Sequence, residues 1–177
     1  MIDFRTDYYR GIKGIYFRRI LRTIIRIGNL DQREAGILDF GCGVGKLKTI
    51  LGKKVISYDS IKELSEVSDW RTQKFDVLVA NEVLYLFSPA EIREFVMEVY
   101  KANPNAEVIV GISTHGILNK IAAFLSGMAD AHDGTKTPPQ EQVRILTERM
   151  QILKKRKVFF MCDVYLLSFM LSPLTQA

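Results

Sequence analysis

A glycine-rich turn between an apolar run and a basic segment constrains this chain more than any other feature. The run at residues 37–40 is followed by alternating glycines, Gly41, Gly43 and Gly45, and then by Lys46. This order predicts a buried strand, a tight turn and the start of a helix, because glycine supplies positive φ angles and lets a ligand approach bare backbone. The turn is a candidate nucleotide-binding loop, and a glycine turn without a ligand is the alternative.

The spacing of the glycines distinguishes the known types of nucleotide-binding loop that begin after a buried strand. A P-loop requires a first glycine where this chain has Phe40, and a hydroxyl residue where it has Leu47. A dinucleotide-binding fingerprint requires its third glycine at the position of Lys46. The remaining pattern is D-x-G-x-G-x-G.

Residues 37–45 resemble the first motif of the class I S-adenosylmethionine-dependent methyltransferases, hydrophobic-hydrophobic-D-x-G-C-G-x-G, position by position. The resemblance implies that Asp39 positions the loop or contacts the cofactor's amino group through water. It also implies a three-layer, Rossmann-like α/β fold with a mainly parallel seven-stranded sheet and an antiparallel last strand. The residues that would shape the loop around the methionine moiety of S-adenosylmethionine are Gly41, Cys42, Gly43 and Gly45.

A second acid closes the next β-prone run, residues 54–59. Asp59 follows Asp39 by twenty residues, and a carboxylate at a strand end beside a glycine loop can accept both hydroxyls of a ribose. The resemblance implies the same role, and we include its neighbour Ser60 among the cofactor-binding candidates. Alternatively, Asp59 or Ser60 caps a short helix at 61–66.

A third landmark covers residues 75–86. The apolar run 77–80 predicts a central strand covered on both faces, and Asn81 and Glu82 follow at its carboxyl end, where open α/β sheets bind ligands. The stretch resembles the family's fourth strand. The resemblance implies that Asn81 and Leu84 lie near the adenine and the sulfonium.

One side of the predicted sheet is short. Fifteen residues separate Asp59 from Phe75, where larger members of the family place a helix, a third strand and a second helix. We expect a shortened third-strand region, a stub near residues 66–70. Asp69 and Trp70 suit the family's contacts to the adenine amino group and ring; otherwise they are a turn acid and a packing side chain.

Composition favours one globular domain. The chain has 177 residues, of which 47% are hydrophobic and 25% charged. Cys42 and Cys162 form no disulfide framework and no metal-ligand pattern, so we expect a reducing compartment and no metal site. No apolar stretch approaches the ~20 residues of a membrane span, and no signal peptide is recognisable. We therefore expect a cytoplasmic protein.

Strands and helices alternate along the predicted chain, which indicates a mainly parallel sheet. We predict a single methyltransferase domain, 1–177, made of a basic amphipathic helix in 1–33, a cofactor-binding half in 34–112, and a substrate loop with closing strands in 113–177. The predicted strands are 36–40, 54–58, 75–80, 107–112, 152–160 and 163–171. The predicted helices are 12–27, 46–52, 61–66, 89–101, 116–127 and 139–150.

Both histidines, His115 and His132, follow the fifth strand position. His132 precedes Asp133 in a polar loop after the fifth strand position, where a His held by a carboxylate could deprotonate a hydroxyl acceptor and contribute about 10²–10⁴-fold. Methyl transfer is an in-line displacement, so positioning alone can also suffice. A lone His is more often structural. His132 is the catalytic candidate.

Residues 81–84 limit which kinds of methyl acceptor the sequence favours. They read N-E-V-L, which does not match the N/D-P-P-Y/F sequence common in methyltransferases that act on base or amide nitrogens. An oxygen or carbon acceptor on a small, lipid-linked or polyprenyl-linked molecule is favoured.

The N-terminal helix is amphipathic. Its apolar face is predicted to hold Phe17, Ile20, Leu21, Ile24 and Ile27. Its basic face is predicted to hold Arg18, Arg19, Arg22 and Arg26, within a chain of net charge +5. The basic face is either simply solvated or attracted to an anionic membrane surface, a phosphorylated substrate or RNA.

The sequence thus predicts an S-adenosylmethionine-dependent methyltransferase. A non-catalytic S-adenosylmethionine-binding or regulatory protein is the first alternative, and an RNA methyltransferase the second. No RNA-binding module is recognisable, so nucleic acid is the less favoured partner. The sequence does not determine the oligomeric state.

Overall fold

Six strands form one mixed sheet in the computed structural model, which describes residues 11–114 and 135–170. The strands are β1 (Ile37–Phe40), β2 (Val55–Tyr58), β3 (Val77–Asn81), β4 (Glu107–Ser113), β5 (Met150–Val158) and β6 (Cys162–Phe169). The helices are α1 (Gly11–Gly28), α2 (Lys46–Leu51), α3 (Pro89–Ala102) and α4 (Pro139–Leu146). The predicted helix 116–127 lies outside the described residues.

The strand order is β2-β1-β3-β4-β6-β5. Strands β2, β1, β3 and β4 are parallel, and β6 is antiparallel to both of its neighbours. The predicted α/β sheet with an antiparallel last strand is confirmed. Phe40 is level with Tyr58 and with Ala80, so the segments that follow β1, β2 and β3 leave the sheet at one edge, its carboxyl edge.

The prediction of seven strands is wrong, because the described residues between β2 and β3 form no strand. That segment contains two 3₁₀ turns, Lys62–Leu64 and Trp70–Thr72, and the first stands where a helix at 61–66 was expected. Glu66 takes the hydrogen bonds that a third strand would make: its N–H donates to Ser57 O at 2.9 Å, and its Oε2 accepts from Ser57 N at 2.9 Å. The edge strand is therefore satisfied without a neighbour.

Helices cover both faces of the sheet. On one face α1 buries Ile20, Leu21, Ile24 and Ile27, with Phe17 partly buried. Arg18, Arg19, Arg22 and Arg26 are exposed, which confirms the predicted amphipathic pattern. The short helix α2 packs on this face through Leu47.

On the opposite face α3 packs with α4 over a second apolar cluster. Helix α3 begins at a capping box: Ser88 Oγ accepts from Glu91 N at 3.3 Å, and Glu91 Oε2 accepts from Ser88 N at 2.7 Å. Pro89 occupies the first helical position. Helix α4 ends at Leu146 rather than near 150, since Met150 already begins β5.

No helix in the described ranges is both long enough and apolar enough to span a bilayer.

Trp70 lies inside the α3-side cluster. It is 2% exposed and packs edge-on against Phe40 at 5.6 Å between ring centroids, with Phe95 at 5.9 Å. Of the two sequence interpretations, this position supports packing, since the adenine-stacking interpretation needs an accessible indole face.

We predict that Trp70→Ala lowers the free energy of unfolding by about 3–5 kcal/mol, because it opens a cavity in a close-packed cluster. Urea denaturation measures the change, and Trp70→Phe should cost less. A Trp70→Ala protein of unchanged stability that loses cofactor affinity would restore the adenine role.

Candidate cofactor-binding site

The loop after β1 has the geometry that its glycines predict. Gly41, Gly43 and Gly45 have φ angles of 75°, 52° and 65°, a region that other L-residues rarely adopt. The N–H groups of Gly41 and Cys42 donate to Tyr58 O at 2.8 and 3.0 Å, which ties the loop to the end of β2. Helix α2 starts directly after Gly45.

The glycines are required for two different reasons. A Cβ on Gly41 would lie 2.8 Å from Val83 Cγ2, so Gly41 permits close packing. A Cβ on Gly43 or Gly45 would meet no atom of the protein within 4 Å. These two glycines border open space, which is the condition for a ligand to lie against their backbone.

Asp59 follows β2 and is bonded to the loop. Its Oδ2 accepts from Gly43 N at 3.0 Å, and its Oδ1 accepts from Ile61 N at 3.0 Å and from Ser60 Oγ at 3.5 Å. The bond to Ile61 N, two residues on, is that of an Asx turn rather than a helix cap. A carboxylate offers about four acceptor sites and three of them are in use, so Asp59 retains capacity for one further hydroxyl.

A second carboxylate lies beneath the loop. Asp39 is 6% exposed, and burial, followed by the nearby charge of Asp59, raises its pKa to about 7. Burial, then Asp39 and Asp59, raises the pKa of Cys42 to about 12. The Cys42 thiol therefore stays protonated, and it donates to Leu64 O at 3.4 Å.

Asn81 ends β3 beside the loop. Its Oδ1 is buried without a hydrogen-bond partner among the described residues. A Cβ on Gly111 of the neighbouring strand would lie 2.2 Å from that oxygen, so glycine is required at 111 for Asn81 to adopt this position. The sequence analysis did not identify Gly111, because its requirement arises only from strand pairing.

Glu82 is the residue whose importance the sequence analysis missed. It has a φ of 54°, an uncommon conformation for glutamate, and its buried Oε1 has no donor in the described part of the chain. Burial raises the pKa of Glu82 to about 7, and Ser113 and Cys162 reduce the rise. The only sequence signal was its position after Asn81 at a strand end.

Tyr16 of α1 faces the same carboxylate. Burial, followed by the charges of Glu82 and Cys162, raises the pKa of Tyr16 well above its usual value, so its hydroxyl remains a donor. A small cavity of about 10 Å³ adjoins Glu82, enough for about one water molecule. It is lined by Glu82, Val83, Tyr85, Gly111, Ile112, Ser113 and Gln142.

The remaining predicted residues lie away from the loop or outside the described ranges. Asp69 Oδ1 accepts from Arg71 N at 3.0 Å and from Arg71 Nη1 at 3.2 Å, and these contacts lower its pKa. Leu84 is 2% exposed in the α3-side core. His132 and His115 lie in the undescribed segment 115–134, so the catalytic role of His132 stays a prediction. Within the described residues, no group of His, Cys, Asp and Glu could hold a metal ion.

Comparison with known proteins identifies the fold. No family profile matches the sequence, and no curated protein matches it. Solved structures do match it along most of their length. One of them, the PH0226 protein from Pyrococcus horikoshii OT3, is 12% identical with a TM-score of 0.66, over 96% of this chain and 97% of that one.

Two further matches are methyltransferases with a bound cofactor product. The N-methyltransferase NodS from Bradyrhizobium japonicum WM9, in complex with S-adenosyl-L-homocysteine, is 15% identical with a TM-score of 0.61, over 87% of each chain. The magnesium protoporphyrin IX methyltransferase ChlM from Synechocystis PCC 6803, with the same product bound, is 15% identical with a TM-score of 0.56, over 91% of this chain and 88% of that one. This chain has the S-adenosylmethionine-dependent methyltransferase fold.

The methyltransferase fold brings together four of the groups that the motifs predicted. Asp39, the glycine loop, Asp59 and Asn81 all lie at the carboxyl edge of the sheet, where open α/β sheets bind ligands. The structure adds Glu82, which follows Asn81 at the same edge and was not among the predicted site residues. Two carboxylates at the open loop, Asp39 and Asp59, favour a ligand that carries positive charge.

We predict that Asp39→Asn stabilises the protein at pH 8. Because the folded-state pKa of Asp39 is raised, its contribution is present below about pH 4 and is lost as the pH rises through about 7. A shift of about three units corresponds to roughly 4 kcal/mol at most. Thermal or urea unfolding of both proteins from pH 4 to 8 should show a difference that grows with pH; a constant difference would contradict a raised pKa.

Proposed function

We propose that the protein is an S-adenosylmethionine-dependent methyltransferase that acts on a small or lipid-linked acceptor, with oxygen or carbon as the favoured acceptor atom. The observation that carries the proposal is the pair of open glycines, Gly43 and Gly45, beside Asp59 and Asn81 in a methyltransferase fold. The related structures NodS and ChlM contain S-adenosyl-L-homocysteine.

The described residues fit this cofactor. The backbone of Gly43 and Gly45 offers a surface for the methionine moiety, and Asp59 retains an acceptor site for a ribose hydroxyl. Asn81 Oδ1 is an unused acceptor. S-adenosylmethionine carries an ammonium and a sulfonium, whereas NAD and ATP carry phosphates. The carboxylates at the loop, Asp39 and Asp59, therefore favour S-adenosylmethionine on charge.

Glu82 is suited to remove the acceptor proton. When bound, S-adenosylmethionine would supply the methyl group for in-line transfer to the acceptor. The Glu82 carboxylate takes the proton that a hydroxyl or acidic C–H acceptor must lose, and a pKa of about 7 suits a base at physiological pH. Ser113 and Cys162 hydrogen-bond to Glu82 and position it, and Tyr16 lies nearby.

A non-catalytic cofactor-binding protein remains the second candidate. The absence of a third strand between β2 and β3, where Glu66 satisfies the edge, favours it because the adenine side is reduced to two 3₁₀ turns. Turnover separates the two candidates, since both bind the cofactor and only the enzyme converts it.

We predict that S-adenosylmethionine or S-adenosyl-L-homocysteine binds with micromolar affinity, about −7 to −8 kcal/mol, in isothermal titration. Gly43→Ala should weaken binding at least about tenfold, because its Cβ enters the space that the ligand needs. Gly52→Ala is the matched control: Gly52 also has a positive φ, 77°, and open space around its Cβ position, but it lies at the far end of α2. Tight binding of NADH without binding of S-adenosylmethionine would contradict the proposal.

We predict that kcat rises with pH through about 7, since Glu82 must be deprotonated to act as a base. Glu82→Gln should lower kcat at least about tenfold, remove that rise and leave cofactor affinity unchanged. Measurement needs an acceptor, found by screening cell extract with labelled cofactor. If Glu82→Gln keeps the profile and His132→Ala abolishes it, His132 is the base instead.

A further inference from the structure

The loop between β5 and β6 is apolar where hairpin loops are usually polar. It consists of Phe159, Phe160 and Met161, and the two phenylalanines are 56% and 54% exposed. Phe159 has a φ of 51°, a conformation for which hairpins normally use Gly, Asn or Asp. Two exposed phenylalanines, one of them in an unfavourable conformation, do little for folding, which indicates a role at the surface.

This loop is firmly attached to the carboxyl edge of the sheet. Met161 N donates to Val158 O at 3.3 Å within the turn. Thr114, just after β4, donates through its N–H to Met161 O and through its Oγ1 to Phe160 O, both at 2.8 Å. The phenylalanines therefore lie at the edge from which Asn81 and Glu82 emerge.

Cations lie beside Phe159. Ile15, Arg18, Arg19 and Arg22 are spaced as one stripe of α1, and together with Phe159 they line an open groove of about 450 Å³. Ile15 is 56% exposed. Arg156 of β5 is also exposed, and it pairs with Val164, which packs in the α1-side core. Its side chain thus leaves the sheet on the side of α1.

We propose that this surface binds an anionic phospholipid membrane. We call it the tip surface and define it as Ile15, Arg18, Arg19, Arg22, Arg156, Phe159 and Phe160. The two phenylalanines enter the interfacial region of the bilayer, and the guanidinium groups contact lipid phosphates. The proposal stands on these residues alone. One consequence, that a lipid-linked acceptor enters the carboxyl edge from the bilayer, rests on the proposed methyltransferase function.

Protection of the sheet edge and binding of RNA each account for only part of the tip surface. Lysines on β5, such as Lys154, suffice to keep an edge strand from pairing with other chains, but they do not require exposed phenylalanines beyond its end. RNA would use the arginines and could stack on aromatic rings, but the exposed Ile15 beside Phe159 offers no base contact. An apolar loop beside a cationic groove matches a membrane surface, which has both an apolar interior and anionic headgroups.

Vesicle flotation tests the proposal with the whole chain. We expect it to bind vesicles of phosphatidylcholine with ~30% phosphatidylserine in ~0.1 M salt, at least about tenfold better than vesicles of phosphatidylcholine alone. The double variant Phe159→Ser/Phe160→Ser and the triple variant Arg19→Gln/Arg22→Gln/Arg156→Gln should each lose at least about tenfold of that binding. Only the triple variant should flatten its salt dependence.

Matched controls test whether vesicle binding depends on where the charges and apolar side chains lie or only on how many there are. Lys53→Gln/Lys74→Gln/Lys101→Gln removes the same charge from exposed sites elsewhere. Ile50→Ser removes an exposed apolar side chain, 55% exposed, from α2. Both controls should bind vesicles within about twofold of the unaltered protein. Melting temperatures establish that every variant folds.

Insertion of the β5–β6 loop into the bilayer can be measured by tryptophan fluorescence, because Trp70 is the chain's one tryptophan and is buried. Phe160→Trp should be quenched by brominated lipids, whereas Trp70 in the unaltered protein should not. Failure of the unaltered protein to bind anionic vesicles would overturn the proposal. So would equal losses in the controls, or displacement by RNA with no effect of Phe159→Ser/Phe160→Ser.

Titration with S-adenosylmethionine keeps the two proposals distinct. The tip-surface variants should bind cofactor normally, because the altered residues lie outside the glycine loop. Loss of vesicle binding with intact cofactor binding supports the tip surface irrespective of catalysis. If cofactor binding is absent in every form while vesicle binding persists, only the proposed methyltransferase function fails.

Discussion

The hydrogen bond from Gly43 N to Asp59 Oδ2 joins the two strand ends on which the site depends. The loop is held on one side by Tyr58 O, which accepts from Gly41 and Cys42, and on the other by this carboxylate. With the loop fixed at both points, Gly43 and Gly45 turn their backbone toward open space. Glycine adopts the three positive φ angles without strain, and parallel pairing of β1 with β2 and β3 sets the ends of the loop.

Burial of carboxylates is the second constraint. Asp39 and Glu82 both sit in surroundings that raise their pKa to about 7, which costs stability whenever they are ionised. A core residue of similar size would avoid that cost. In the proposed function, Asp39 would interact with a cationic ligand and Glu82 would accept a proton from the methyl acceptor. Perturbed pKa values tend to cluster at functional sites in this way.

Local signals in the sequence predicted local structure well. The strand, turn and helix around Gly43 follow from residue order, the start of α3 follows from Ser88-Pro89, and the buried stripe of α1 follows from its periodicity. The antiparallel last strand followed from the family resemblance. Each of these depends on neighbours in sequence or on a motif that the chain carries intact.

What the sequence did not reveal depends on contacts between distant segments. The absence of a third strand follows from Glu66 bonding to Ser57, and such a bond has no sequence signature. Trp70 could be assigned to the core only once Phe40 and Phe95 were in place. Gly111 is explained by Asn81 across a strand pair, and the positive φ of Glu82 and Phe159 cannot be inferred from residue type.

The two edges of the sheet show why these distant contacts matter for function. At the β2 edge, Glu66 uses up the backbone groups of Ser57, and Lys48 pairs with Glu66, so this edge is satisfied by the chain itself. The β5 edge instead exposes cations, and the β5–β6 loop beyond it exposes Phe159 and Phe160. Among the residues that the structure describes, the two lateral edges of the sheet therefore differ: the β2 edge is bonded within the chain, and the β5 edge exposes charged and aromatic side chains. Since the β5–β6 loop adjoins the carboxyl edge, binding there and chemistry at Glu82 would take place on the same side of the molecule.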